Sequence, residues 1–430
     1  MNTTRTTRPG KDSTMNSTTV LSFVLFSMLL GSTAVAQLSS PEILGTDLRP
    51  KGMGNAFIAV ADDPSALFYN PAGLADVKTW YVHLVGVAPR FSYQLFETGM
   101  LIRKDAKTLG EKSQADQVTQ VIDWIDPMIG TYHPFILGLT APGFTVKNFS
   151  LRTFATPAIG LDMQNKVVPR FTAEAYATAG ASMGFAMSWL DKGLITGASL
   201  KGLYRVFQPL EVEFAEMTGK DSKTGKSNMQ TMVDDLTDMN KLVDRQGYGL
   251  GVDLGIKSHL IAFTDAIDIP ALTETFRLLK PTVGVAWQDV GNTRFQMDID
   301  EDEAFNPETI RKFKTIEQSL GVGVAISPEF GPTRLTYSLD VRDLNRDVDV
   351  ANMINTGIEL SIWDRLAVRT GLSQLSPASL FGITVPLNSA GIDVDLWIAK
   401  LGVYYFEDKL GTSRNARTSR QIGLSLNIGI

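Results

Sequence analysis

QIGLSLNIGI, residues 421–430, alternates without a break: Ile422, Leu424, Leu426, Ile428 and Ile430 fall on one face, Gly423, Ser425, Asn427 and Gly429 on the other. Side chains of a strand point to opposite faces with a period of two, so this stretch reads as a strand with one apolar and one polar side. The pattern recurs upstream. Leu335, Tyr337, Leu339 and Val341 alternate with Thr336, Ser338, Asp340 and Arg342, and Leu366 and Val368 with Ala367 and Arg369. Ile392, Val394, Leu396 and Ile398 alternate with Asp393, Asp395, Trp397 and Ala399. In a two-layer sandwich the polar face meets water; in a membrane barrel it meets the lumen, and lipid takes the apolar face. Alternation alone leaves both architectures open.

Length, strand size and an export signal favour the barrel. Residues 1–36 carry Arg5, Arg8 and Lys11, then the apolar run Val20 to Leu30, then Ala34 and Ala36, the layout of a secretory signal peptide cleaved before Gln37. The rest exceeds a single sandwich. Candidate strands lie near residues 80–88, 91–102, 149–162, 171–190, 194–213, 247–260, 280–290, 317–327, 333–345, 354–363, 366–374, 378–387, 390–406 and 419–430. They number about fourteen, an even count, and many have the roughly ten residues that a tilted strand needs to cross a bilayer. After residue 36 no run approaches the about 20 apolar residues of a spanning helix. The fold expected is all-β: a single transmembrane antiparallel β-barrel.

Charge and cysteine content narrow the function classes. Without residues 1–36 the chain has 37 basic against 45 acidic side chains, a net charge of −8, with no basic run of the kind nucleic acid requires. It has no cysteine, hence neither disulfides nor thiolate chemistry.

Two segments break the strand pattern with helical spacing: Glu111 to Ile125, with Val118, Val121, Ile122 and Ile125, and Met229 to Val243, with Met232, Val233, Leu236 and Met239. They read as two short helical insertions packed over a barrel mouth or interior, with partner binding through their apolar stripes as the other reading. A third short helix is expected within Asp265 to Leu279, its start limited by Pro270.

Catalytic and metal-binding patterns are thin. His83, His133 and His259 are far apart in sequence, with no metal-ligand spacing around them. Ser182 lies in Gly180-Ala181-Ser182-Met183-Gly184, which matches a nucleophile elbow; that motif needs a strand-to-helix turn, and here it lies inside a strand-like run. The acidic run from Asp298 to Glu303 lacks the glycine turn and spacing of a calcium loop and reads as solvated. Gly247-Tyr248-Gly249-Leu250-Gly251 precedes no helix start and reads as structural rather than dinucleotide-binding. The chain reads as a non-enzyme without cofactor or metal.

The remaining stretch, KGMGNAFIAVADDPSALFYNPAGLA from Lys51 to Ala75, is neither strand nor helix. It resembles the N-terminal segment of the FadL-type outer-membrane family, which includes fatty-acid and aromatic-hydrocarbon transporters of TodX type and PorV-like proteins. Asp62-Asp63-Pro64 matches the acidic turn of that segment, and Asn70-Pro71-Ala72, followed by Gly73, its Asn-Pro-Ala step. Weaker echoes at Gly247 to Ile256, Val283 to Phe295 and Arg365 to Gln374 are similar to a TraF-like branch.

The resemblance implies a fourteen-stranded barrel (residues 79–430) with an N-terminal hatch (residues 37–78) inside its lumen. It also implies a path for hydrophobic small molecules through the outer membrane of a Gram-negative-type bacterium, in contact with outer-membrane lipid. The non-transporting alternative, of PorV type, would hold exported protein partners, with the helical insertions as one place to bind them. Physically, a segment inside a lumen must be compact, hence Gly and Ala, and must satisfy its own backbone, hence turns at Asp-Pro and Asn-Pro.

Overall fold

The alternating segments close into a ring. The computed structural model describes residues 48–92, 100, 123, 126, 132–164, 170–213, 245–264, 270–297, 313–346, 348, 350–374, 378–380, 383–385, 387–410 and 417–429. The wall begins with β1 (Tyr81–Ser92), β2 (Tyr132–Val146), β3 (Phe149–Gln164), β4 (Arg170–Trp189), β5 (Leu194–Glu213) and β6 (Gln246–His259). β7 (Thr282–Gln288) and β8 (Thr293–Met297) both pair with β6 and are two halves of one stave. β9 (Thr315–Ile316) and β10 (Ser319–Ile326) form the next, pairing with β8 and β7. β11 (Glu329–Phe330) ends the hairpin into β12 (Thr333–Val341), followed by β13 (Ile354–Ile362) and β14 (Leu366–Leu372). β15 (Ala378–Leu380) and β16 (Ile383–Val385) form a separate hairpin, and β17 (Ser389–Asp395), β18 (Ala399–Leu410) and β19 (Arg417–Gly429) complete the wall.

Successive staves are antiparallel neighbours, and β19 pairs with β1, Leu426 opposite Val87 and Ile422 opposite Phe91. The result is a closed fourteen-stranded barrel, with its backbone polar groups spent within the wall.

The two faces of the wall identify its solvent. On β6, Tyr248, Leu250, Val252, Leu254 and Ile256 point out and are exposed, while Asp253 and Lys257 point in and are buried. Phe185, Val324, Val368, Val403 and Leu424 continue the exposed apolar face on other staves; Thr178, Lys201, Asp340, Glu359, Arg369 and Asp393 continue the buried polar one. Apolar outside and polar inside is the arrangement of a barrel in lipid, so the protein is a transmembrane barrel. Trp80, Trp189, Trp363 and Trp397 are exposed at the end with the short turns, where amphipathic rings suit a membrane interface.

Several strand boundaries differ from expectation. Residues 80–88 and 91–102 were expected as two strands; the first and the beginning of the second are one strand, β1. Pro89 interrupts only the ladder to β19, which lacks partners at Ala88 and Pro89, while pairing to β2 continues. β2 was not expected at all, its pattern masked by Pro134, Gly138, Pro142 and Gly143. The expected strand 390–406 is two, because a turn at 396–398 is itself apolar and continues the alternation. Asp395 Oδ1 accepts the Trp397 N–H at 2.9 Å, and Trp397 takes a left-handed backbone (φ 74°). Expected strand 378–387 holds the side hairpin β15–β16 rather than a stave. Two false staves and two missed ones cancel, so the count of fourteen stands. The third helix is present as Pro270–Leu279 (α3). The helical insertions at 111–125 and 229–243 and the acidic run at 298–303 lie outside the described residues, apart from position 123, and so do residues 1–47.

Candidate functional site

Residues 48–77 contact the inward faces of strands around the whole ring and are almost entirely buried. Local chemistry folds this interior segment. Pro50 opens the short helix α1 (Arg49–Gly52), and Gly54 and Asn55 turn the chain with φ of 59° and 63°. At Asp63-Pro64-Ser65, Asp63 Oδ1 accepts from Ser65 N (2.9 Å) and from its hydroxyl, an Asx turn that starts α2 (Ala66–Tyr69). Asn70 is extended (φ −154°, ψ 99°), as a residue before proline should be. A tight helical turn over Pro71–Asp76 follows.

The residues singled out from the sequence fall into two groups. Asn70, fully buried, bonds in three directions: its Oδ1 accepts from Ala72 N (3.2 Å), and its Nδ2 donates to Ile58 O (2.9 Å) and to Ile256 O of the wall (3.2 Å). Pro71 and Ala72 lie against Gly197 of β5, where a Cβ would come within 2.5 Å of Pro71 C. Gly73 has no room for a side chain, since its Cβ would come within 2.8 Å of Ala61 Cβ. The second group is the turn Asp62-Asp63-Pro64, whose two carboxylates meet Arg49. Arg49 Nη1 donates to Asp62 Oδ1 (2.6 Å) and Asp63 Oδ2 (2.8 Å).

Arg49 also makes a bidentate pair with Glu359 of β13, Nε to Oε2 at 2.7 Å and Nη2 to Oε1 at 2.8 Å. Arg369 of β14 bonds both Glu359 and Asp393 of β17, so one buried chain of alternating charge ties the segment to three adjacent staves. Burial alone would lower the Arg49 pKa, but Glu359, Asp62 and Asp63 outweigh it and hold the guanidinium firmly charged. Arg334 joins from β12, donating to Asp62 Oδ2 at 3.2 Å.

Further wall residues bind the segment's backbone. Asp340 Oδ2 accepts from Phe57 N (2.6 Å) and Ile58 N (2.7 Å); Lys257 Nζ donates to Ala61 O (2.7 Å); Gln288 Nε2 donates to Phe68 O (2.8 Å). Inward glycines admit the backbone itself: a Cβ at Gly284 would lie 2.9 Å from Ile58 O, and one at Gly371 2.6 Å from Gly54 N. The alternation placed Asp340, Arg369 and Asp393 on the second face of their strands. Arg49, Glu359, Lys257 and Gln288 were not singled out, and only their inward positions on a strand period could have drawn attention to the last three.

Asp76 closes the segment. It meets Lys192 (2.9 Å), Lys257 (2.9 Å) and His259 Nε2 (2.8 Å). Burial would raise its pKa, but Lys257, His259 and Lys192 together hold it far below the usual carboxylate range. A depressed folded pKa means that this anchor is at full strength above the ordinary aspartate value of about 4 and weakens as pH falls below it. Hydrogen-exchange protection over residues 70–77, corrected for the intrinsic pH dependence of amide exchange, is therefore expected to fall as pH drops below about 4, a step that Asp76→Asn, less protected throughout, lacks.

The space on either side of the segment differs in character. At the short-turn end a cavity of about 500 Å3 is lined by Arg49, Asp62, Arg334, Glu359, Arg369 and Asp393, with Trp80, Trp363 and Trp397 also lining it. Toward the long connections the interior is aromatic. Phe68 packs edge-on against Phe154 (5.7 Å), Phe207 stacks on Phe313 (4.4 Å), Tyr176 lies 6.0 Å from Phe313, and Arg205 sits 4.2 Å over Phe295.

Ser182 is buried in the middle of β4 and faces inward, without the strand-to-helix turn of a nucleophile elbow. His133 bonds Ser92 (2.8 Å) and His83 stacks on Tyr81 (6.3 Å). Among the described residues no group of His, Asp and Glu could hold a metal ion.

The class defined by fold and site is a transmembrane β-barrel whose lumen is occupied by its own chain. No protein-family model matches the sequence, and no curated protein does. Solved structures that match include a toluene transporter of Pseudomonas putida, TodX, at 12% identity over 92% of this chain and 99% of that one, with a TM-score of 0.43. The CymD monoaromatic hydrocarbon channel matches at 11% identity over 90% and 97%, with a TM-score of 0.42. CdiB from Acinetobacter baumannii matches at 8% over 82% and 60%, with a TM-score of 0.29.

Proposed function

We propose that this chain is an outer-membrane channel through which hydrophobic small molecules diffuse, residues 1–36 being its export signal and the interior segment its hatch. The observation that carries the reading is the change of character along the lumen. The half above the segment gathers Phe154, Tyr176, Phe207, Phe295 and Phe313 around Arg205, whereas the end below it is built on the ion pairs of Arg49, Glu359 and Arg369. Apolar lining with few polar groups is what a hydrophobic ligand selects. Diffusion down a gradient needs no energy source, only displacement of the hatch.

The test uses labelled fatty acid, alkane and toluene uptake in a deletion strain. Wild-type chain should restore uptake. A variant with Asn55→Cys and Ser373→Cys, whose native side chains meet at 3.5 Å, should restore it when reduced and fail when cross-linked, in a chain that otherwise has no cysteine. Unchanged uptake of every ligand class on deletion overturns the reading.

A second reading has its own support. The segment is held by buried ion pairs and fitted glycines, as a permanent filling would be, which favours a non-transporting barrel that holds exported protein partners. Purification in mild detergent should then recover a stoichiometric partner, and its absence counts against this alternative.

A further inference from the structure

The outer wall carries a groove of about 690 Å3 across β4, β5, β6 and β8. Its floor is small: Ala179 and Gly202 point outward, and a Cβ built at Gly202 meets nothing within 4 Å. Tyr204 and Tyr248, their rings 5.0 Å apart, stand toward its long-connection end, and Leu250, which is 74% exposed, stands on β6 directly opposite Gly202. Beyond β6, β8 presents Arg294 and Gln296, both exposed, level with Leu250 and Tyr248. Among the described residues no carboxylate pairs with Arg294; nearby Glu317 faces Arg346 instead.

The height of the groove decides what fits. Counted from His259 at the short-turn end, Leu250 is the tenth residue of β6, and about ten tilted residues cross the hydrocarbon. Leu250 and Gly202 therefore lie near the upper limit of the acyl region, with Tyr248, Gln246 and Gln296 beyond it at headgroup level. A guanidinium at that boundary, beside an apolar trough opening toward the bilayer, matches an anionic headgroup attached to an acyl chain.

We propose that this groove binds one anionic phospholipid of the leaflet on the long-connection side, its phosphate on Arg294 and an acyl chain crossing Leu250 to lie over Gly202. The site is independent of whether the lumen transports anything. A charge-assisted phosphate contact accounts for about tenfold in affinity or more.

The full chain in detergent, titrated with phosphatidylglycerol and observed by native mass spectrometry, should retain one lipid in preference to phosphatidylcholine. Arg294→Gln should weaken retention about tenfold and abolish the preference. Gly202→Leu, which fills open space and leaves the barrel folded, should weaken both lipids. Inorganic phosphate at millimolar concentration should not compete, since it lacks the chain. Equal retention of the two lipids by the wild type, undiminished retention by Arg294→Gln or by Gly202→Leu, or displacement by inorganic phosphate would each overturn the proposal.

Discussion

Gly197→Val should yield a folded barrel whose interior segment no longer seats, whereas Gly202→Val on the same strand should leave that segment seated. The two glycines are indistinguishable in the sequence and opposite in the wall. At Gly197 a Cβ would come within 2.5 Å of Pro71 C and 2.6 Å of Pro71 O, backbone atoms with no rotamer to give way. At Gly202 it meets open space.

Overpacking of this kind costs about 1–3 kcal/mol. Displacing the Asn70-Pro71 step also disrupts the bonds of Asn70 to Ala72, Ile58 and Ile256, each worth about 1 kcal/mol. Gly255→Val should compound the effect, because its Cβ would overlap Asn70 Oδ1 and lie 2.9 Å from Ala72 N. Heat-modifiable migration on gels reports the intact wall, and conductance in planar bilayers reports the lumen. The double variant is expected to conduct more than the wild type. Equal conductance of Gly197→Val and Gly202→Val would refute the fit described for the Pro71 turn.

Arg49→Ala should release the other end of the segment. One guanidinium serves Glu359, Asp62 and Asp63, and its removal leaves buried carboxylates short of a counter-charge. Breaking a buried pair from one side costs on the order of 3–5 kcal/mol. Hydrogen exchange over residues 48–63 should then accelerate by about two to four orders of magnitude, with the strands unaffected. Arg49→Lys should fall between, since an ammonium cannot reproduce the fork that meets both Glu359 oxygens. Adding Glu359→Gln to Arg49→Ala should recover part of the loss by removing the stranded charge. If the loss in the double variant, measured against wild type, equals the sum of the two single losses, the pair is not coupled and the network does not hold the segment.

What could be read in advance follows from what each feature depends on. Alternation is local, so most strands, and the charged face that includes Asp340, Arg369 and Asp393, were legible. The turn at 396–398 was not, because its side chains keep the strand pattern and only the backbone at Trp397 departs from it. The compactness of Lys51 to Ala75 was legible from its glycines, alanines and Pro steps. Which wall atoms it meets was not, since Gly197 and Gly202 differ only in the parity of their position on a strand. Arg49 is unremarkable by local pattern; its meaning lies in Glu359, 310 residues away.

That separation also bears on how the molecule comes to exist. The interior segment draws its anchors from β5, β6, β7, β12, β13 and β14, and the ring closes only when β19 reaches β1. Until then residues 48–77 have an apolar surface and a buried-type arginine with nowhere to put them. Contacts so distant in sequence form slowly, and exposed apolar chain aggregates while it waits. The first described residues to be synthesised are thus among the last to find their partners, and their apolar surface stays uncovered until the wall around them is complete.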